Sequence, residues 1–305
     1  MRIAFMGTAE LACPCLEAVV KMPGHEVVAV VTQPDRPKGR DLKPAPPPVK
    51  VIAERFGLPV QQPLKIREPA AVEALQGTQP DLIIVVAYGQ ILPKAVLAIP
   101  RFGCINVHTS LLPRWRGAAP IQYAILHGDP ETGVTTMYMD EHMDTGDIIL
   151  QRVQLIHADD TSATLHDRLA KLGAELLEET VMLIAEGKAP RAKQDETKAT
   201  YAKKIAKEDG RIDWTKPATE IERQIRAFNP WPSAYTRLGD LPLKIWKAEV
   251  IGGATGNPGE VLADIIVVTG QGGLRIVELQ PASSKRMPVD AFLRGHKIEA
   301  GTMLR

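Results

Sequence analysis

The stretch Asp81-Leu82-Ile83-Ile84-Val85-Val86-Ala87 decides the fold. Its five central residues are all apolar, so a strand here has no polar face to show to water. Such a strand must be covered on both sides, as in a parallel sheet layered by helices. Working outward, residues 2–6, 26–31, 58–62 and 104–108 are further short apolar or β-branched runs bounded by turn residues, with helical periodicity between them. This alternation predicts a doubly wound α/β domain, which places ligands beyond the carboxyl ends of its strands. Strands are also expected at 133–139 and 147–153. Leu165, Leu169, Leu172, Leu176 and Leu183 then recur at helical spacing, predicting a helix over 162–187 that closes a first domain of residues 1–189.

The chain has 305 residues, 45% hydrophobic and 24% charged, enough for one large domain or two ordinary ones. That composition excludes disorder, collagen and coiled coil for the chain as a whole. Its apolar runs fall far short of the roughly 20 residues that span a bilayer, and Met1-Arg2-Ile3-Ala4-Phe5-Met6-Gly7 reads as a first strand and not as a secretory signal. A cytoplasmic protein without a membrane helix is expected. Cys13, Cys15 and Cys104 are an odd number with neither zinc-knuckle nor redox spacing, and read as small buried thiols. The seven histidines include no His-Glu-x-x-His pair, so a metal is not implied.

Two segments interrupt this order. Residues 33–49 are much longer than the roughly two to six residues usual between strand and helix, and six prolines bias them to an extended, exposed loop. Residues 190–206 are polar and aperiodic and read as a linker. Beyond it, residues 207–305 carry short strands at 211–214, 234–238, 243–250, 259–262, 265–269 and 274–279, with helices at 218–228 and 289–293. This texture predicts a small OB-like β-barrel, a fold that binds oligonucleotides among many other ligands. Net charge is only +1, yet residues 33–50 and 190–206 each hold five basic against two acidic residues. Local basic excess of this kind suits a polyanion, although solvated basic loops would look the same.

The densest polar cluster follows residue 104: Asn106-Val107-His108-Thr109-Ser110-Leu111-Leu112-Pro113-Arg114-Trp115-Arg116-Gly117. Alternate strand side chains share a face, so Asn106 and His108 project together at the carboxyl end. The imidazole can relay a proton near neutral pH and the amide can donate to a developing oxyanion, while both residues could equally serve loop backbone groups. The loop Asp140-Glu141-His142-Met143-Asp144-Thr145-Gly146-Asp147 could deliver Asp144 to hold the His108 ring, or could be an ordinary turn. No Gly-x-Ser-x-Gly elbow supplies a serine nucleophile. Cys104 shares parity with Asn106 but lies deeper, where a reactive thiolate is not expected. The first turn, Gly7-Thr8-Ala9-Glu10, lacks the three-glycine dinucleotide fingerprint, which disfavours a nicotinamide cofactor.

Asn106-Val107-His108, Ser110-Leu111-Leu112-Pro113, the run Arg116-Gly117-Ala118-Ala119-Pro120-Ile121-Gln122 and Asp144-Thr145-Gly146-Asp147 together resemble the signature of the folate-dependent formyltransferase family. The flanking segments are similar to the branch of that family whose acceptor is methionine carried by initiator tRNA. These are Thr32-Gln33-Pro34-Asp35-Arg36-Pro37 with Gly39-Arg40, Gln194-Asp195-Glu196 with Ala199-Thr200-Tyr201-Ala202, Phe228-Asn229-Pro230-Trp231-Pro232, and Leu279-Gln280-Pro281-Ala282 with Lys285-Arg286-Met287 and Phe292-Leu293-Arg294-Gly295-His296. Two departures stand out: Ala9-Glu10-Leu11 where Pro-x-Phe is usual, and Glu141-His142-Met143 where a small residue and leucine are commoner.

The resemblance implies a Rossmann-like formyltransferase domain and a monomeric enzyme of translation initiation. Its donor would be 10-formyltetrahydrofolate, its acceptor the α-amino group of methionyl-initiator tRNA, with no covalent enzyme intermediate. It implies that Asn106, His108 and Asp144 are catalytic. It implies that Tyr88, Gly89, Gln90, Ile91 and Leu92, with Ser110, Leu111, Leu112 and Pro113, hold the folate. For tRNA it implies Lys38, Arg40 and Lys43 in the inserted loop and Lys203 and Lys204 in the linker, contacts whose contribution falls with salt. The competing readings are a small-molecule formyltransferase or 10-formyltetrahydrofolate hydrolase, which needs neither the basic loop nor the barrel, and a non-catalytic RNA-binding protein, which needs no Asn106, His108 and Asp144 together.

Overall fold

The computed structural model describes residues 1–38 and 43–305. In chain order its elements are β1 (Arg2–Gly7), α1 (Cys13–Lys21), β2 (Glu26–Val31), β3 (Arg36–Lys38), β4 (Lys43–Ala45), α2 (Pro48–Arg55), β5 (Val60–Gln61), α3 (Pro69–Gly77), β6 (Leu82–Val86), α4 (Lys94–Leu97), β7 (Cys104–His108) and β8 (Arg116–Gly117). Next come α5 (Pro120–Leu126), β9 (Glu131–Tyr138), β10 (Ile148–Leu155), α6 (Ser162–Ala185), β11 (Tyr201–Ala202) and α7 (Ala218–Ala227). The rest are β12 (Ala234–Leu238), β13 (Leu241–Ile251), β14 (Ile266–Val268), β15 (Gly273–Pro281), β16 (Met287–Pro288) and α8 (Val289–Leu293).

These elements form two compact units. The first comprises Met1–Gly117, Glu131–Leu155 and His166–Tyr201, the second Ala118–Pro130, Ile156–Leu165 and Ala202–Arg305. Residues 118–130 and 156–165, read from the sequence as parts of the first domain, group with the second, where α5 packs on α7.

The first unit holds a seven-stranded sheet in the order β10-β9-β7-β6-β1-β2-β5. Its five strands from β7 to β5 are parallel, and β6 is buried along its whole length, as its apolar run requires. The last two strands are antiparallel, β9 to β7 and β10 to β9. Chain order reverses between β1 and β6, so a crevice opens beyond their carboxyl ends. Gly7 closes β1 there, where a Cβ would lie 2.9 Å from the Phe5 ring and 3.0 Å from the Val86 carbonyl. The expected strand over 58–62 shrinks to β5 because Pro59 and Pro63 flank it and cannot donate to a ladder. In the inserted segment, β3 and β4 pair antiparallel, Arg36 opposite Ala45.

The second unit is a barrel with an unusual seam. β12, β13, β15 and β14 run side by side, and β16 pairs with β15. Single bridges complete the circuit: Val267 of β14 with Val261, Glu260 with Met303, and Leu304 with Leu238 of β12. The Arg237 and Arg305 backbones exchange hydrogen bonds of 2.8 and 3.0 Å at the last joint. Inside lie Ile221, Ile245, Val267, Leu274, Ile276 and Leu304, all buried, each contributing about 1.5–3 kcal/mol by leaving water. The predicted strand at 211–214 is reduced to one bridge, Arg211 with Tyr235, because the Asp213 carboxylate accepts from the Thr215 N–H (3.1 Å) and hydroxyl (2.6 Å) and turns the chain. The strand at 259–262 is likewise present only as bridges of the seam.

Candidate active site

Strand β7 brings Asn106 and His108 to its carboxyl end on one face, as strand parity requires. His108 is 6% exposed. Its Nε2 lies 2.9 Å from the Trp115 carbonyl oxygen, and a carbonyl only accepts, so Nε2 carries the proton. The neutral ring therefore presents an unprotonated Nδ1, which lies 3.8 Å from Oδ2 of Asp144. This corrects one sequence expectation. The ring is held by a backbone carbonyl, and the carboxylate stands at charge distance, beyond hydrogen-bond length. The Asn106 amide donates to Asp144 Oδ1 at 3.5 Å.

Asp144 itself occupies a left-handed conformation (φ +55°), which aspartate tolerates better than most residues. Its Oδ2 accepts the Gly117 N–H at 2.8 Å, and the Gln194 amide donates to the Asp144 and Gly146 carbonyls, both at 2.8 Å. A side chain at Gly146 would place its Cβ 1.8 Å from the Tyr138 carbonyl oxygen, so only glycine permits this loop path. Upstream, Asp140 accepts from the Thr145 hydroxyl at 2.7 Å and from the His142 N–H at 2.9 Å.

The segment after β7 is fixed from beneath. The buried Thr135 hydroxyl donates to the Ser110 carbonyl (2.6 Å) and accepts from the Leu112 N–H (3.1 Å), while Gln151 donates to the Leu112 carbonyl (2.9 Å). Beyond β6, Ala87 and Gly89 both have positive φ, and the Thr8 hydroxyl donates to the Tyr88 carbonyl at 2.8 Å. The backbone N–H groups of Gly89, Gln90, Ile91 and Leu92 find no acceptor among the described residues, and Ile91 is 82% exposed. A cleft of about 370 Å³, lined by Thr8, Gln33, Arg36, Pro47, Tyr88 and Gly89, opens at this point.

Residues 1–181 match the family model described as formyl transferase, and residues 204–297 match that described as formyl transferase, C-terminal domain. The chain is 52% identical over 308 residues to the methionyl-tRNA formyltransferase of Citrifermentans bemidjiense, covering 100% of this chain and 96% of that one. The chain belongs to the methionyl-tRNA formyltransferase family. The corresponding protein of Geobacter sulfurreducens is 50% identical with the same coverage. Among solved structures, the sugar 3N-formyl transferase WlaRD matches with a TM-score of 0.68 at 21% identity, over 93% of this formyltransferase and 99% of that chain. HypX from Aquifex aeolicus, in complex with tetrahydrofolic acid, matches with a TM-score of 0.63 at 20% identity, over 99% of this chain and 50% of that one. At such identities these two show the shared fold.

In this formyltransferase Asn106, His108 and Asp144 meet, and Tyr88 to Leu92 and Ser110 to Pro113 follow the carboxyl ends of β6 and β7 respectively. Of the expected tRNA contacts, Lys203 and Lys204 are exposed, Arg40 lies outside the described residues, and Lys38 and Lys43 are described only as opposed backbone positions of β3 and β4. Burial pushes the Cys104 and Cys15 thiols up to about 12, so neither is a thiolate near neutral pH. Sequence reasoning missed Trp115, Arg116 and Gln194 as parts of the site. Arg116 and Gln194 stood in quoted motifs, yet nothing in their spacing, 78 residues apart, announces that they touch.

Proposed function

We propose that this formyltransferase moves the formyl group of 10-formyltetrahydrofolate onto the α-amino group of methionine carried by initiator tRNA, acting as a monomer in the cytoplasm. One observation carries the reading. Asn106, His108 and Asp144 converge at the end of β7 in a chain 52% identical, over its whole length, to a protein named for acting on methionyl-tRNA.

The acceptor amine attacks the formyl carbon, negative charge gathers on the formyl oxygen, and the folate nitrogen leaves with a proton. The Asn106 amide donates toward that oxygen. His108, with its Nδ1 bare, takes a proton, and Asp144 at 3.8 Å then stabilises the resulting cation by on the order of 4 kcal/mol of gross Coulomb energy at an effective dielectric near 20. The unengaged N–H groups of residues 89–92 support a pterin edge held by backbone, with Tyr88 shaping the turn. Ser110, Leu111, Leu112 and Pro113, pinned by Thr135 and Gln151, are read as the further folate contacts. Lys203 and Lys204, with Lys38, Arg40 and Lys43, are read as phosphate contacts, and each one lost should lower the salt slope of binding by about 0.9.

The test is formyl transfer from 10-formyltetrahydrofolate to methionine-charged initiator tRNA, with charged elongator methionine tRNA and free methionine in parallel. Product on the initiator alone is expected. Release of formate without product on any acceptor would overturn the reading in favour of a hydrolase.

A further inference from the structure

The Arg116 guanidinium is fully buried, although the proposed chemistry gives it no task. A buried cation is costly unless its donors are satisfied, and this one has partners on two sides. Its Nη1 and Nη2 reach the Glu196 carboxylate at 2.9 and 2.7 Å, and its Nε and Nη2 reach Oε1 of Gln194 at 3.1 and 2.8 Å. An arginine offers only donors, so it fixes the orientation of the Gln194 amide: the oxygen faces Arg116 and the nitrogen faces away. That nitrogen makes the two 2.8 Å bonds to the Asp144 and Gly146 carbonyls. Glu196, whose carboxyl Arg116 holds below the ordinary range, stays charged near neutral pH and anchors the relay.

The same stretch also holds the other half of the site. The Thr200 hydroxyl accepts from the Trp115 N–H at 2.9 Å, the Thr200 carbonyl accepts from the Arg116 N–H at 2.9 Å, and the Thr200 N–H donates to the Pro113 carbonyl at 3.2 Å. Trp115 in turn supplies the carbonyl that fixes the His108 ring, and Gly117 supplies the N–H on Asp144. Residues 194–200, which the sequence presents as a linker, thus hold the imidazole through Trp115, and hold Asp144 directly at its carbonyl and through the Arg116-Gly117 backbone at its carboxylate.

We propose that Gln194, clamped by Arg116 and Glu196, is a positioning residue for Asp144, and that residues 194–200 belong to the catalytic machinery. The proposal rests on the formyl-transfer reading above. A carboxylate in a left-handed turn, 3.5 Å from Asn106 and 3.8 Å from His108, acts only in a narrow geometry, and a displacement near 1 Å costs about 10²-fold.

The variants are Gln194→Leu, which removes the donor, and Gln194→Glu, which sets an acceptor against two carbonyls. Glu196→Gln is a milder third, because the Glu196 side chain is 66% exposed and its loss leaves no buried cavity. For each, kcat, KM for both substrates, the pH profile of kcat and hydrogen exchange of the peptide over 140–147 are measured beside the unaltered protein. Both Gln194 variants are expected to lose about 10- to 100-fold in kcat with KM within about threefold, and to exchange faster over 140–147. Glu196→Gln is expected to fall between them and the unaltered protein. Unchanged kcat and pH profile in Gln194→Leu, even with a lower Tm, would overturn the inference and leave the function standing. An unaltered protein that fails to formylate would overturn the function, and unchanged exchange over 140–147 would then overturn the inference as well. Should both Gln194 variants fail to fold, Glu196→Gln with unchanged kcat and exchange decides against it.

Discussion

The His108 ring donates from Nε2 to the Trp115 carbonyl oxygen across 2.9 Å, and Trp115 holds that oxygen in place from a left-handed conformation of φ +59°. Few tryptophans adopt such a conformation, and here it is stabilised by the bond from the Trp115 N–H to Thr200. In a ¹⁵N spectrum of histidine-labelled protein at pH 8, His108 will show a protonated Nε2 and a bare Nδ1. The opposite tautomer would contradict the proton-accepting role.

Replacing Asn106 by Ala, or Asp144 by Asn, should lower kcat by about 10²–10³-fold while circular dichroism and Tm stay close to those of the unaltered protein. Asn is the chosen replacement at 144 because it accepts φ +55° and keeps the bond from the Gly117 N–H. The double variant should lose much less than the product of the two single losses, since the proposed mechanism sets both residues on one group of atoms. Full activity in either single variant would remove that residue from the mechanism.

Treatment with iodoacetamide at pH 8 should leave formyl transfer unaffected. Cys104 and Cys15 are buried with thiols raised to about 12, and Cys13 is raised to about 11, chiefly by burial. Rapid inactivation that Cys104→Ala abolished would mean that a thiol takes part after all.

Asp81, just before β6, gives a pH prediction of definite sign. The Arg2 N–H at 2.8 Å, then the Arg101 guanidinium at 2.8 Å, hold its carboxyl below the ordinary value of 3.8. A depressed carboxyl contributes stability that is fully present above its unfolded value and is lost as pH falls through the folded one. Asp81→Asn should therefore be less stable than the unaltered protein at pH 7 in urea titrations, and the gap should close below about pH 3.8. A gap of constant size at all pH would show that charge is not its cause.

The α/β layers could be read from the sequence because burial on both faces leaves an unbroken apolar run, as in Leu82 to Val86. Asn106 and His108 could be read because strand parity is local. The grip on Asp144 could not. It depends on Gln194 and Gly117, residues 50 and 27 positions away along the chain, which meet it only after folding. The strand expected at 211–214 failed for a local reason: β-propensity there is overridden by a single aspartate that hydrogen-bonds its own turn.

The seam of the barrel sets an order of events during synthesis. Leu238 and Glu260 must wait for Leu304 and Met303, partners 66 and 43 positions further along, before the circuit can shut. Until those residues leave the ribosome, β12 and the 259–262 segment beside β14 each keep a free edge, the kind of surface on which nascent chains stick to one another. The first unit has no such wait beyond residue 201. Chaperone demand should therefore concentrate in the final hundred residues, and substitutions at the seam should show themselves as lost yield of soluble protein before they show as lost catalysis.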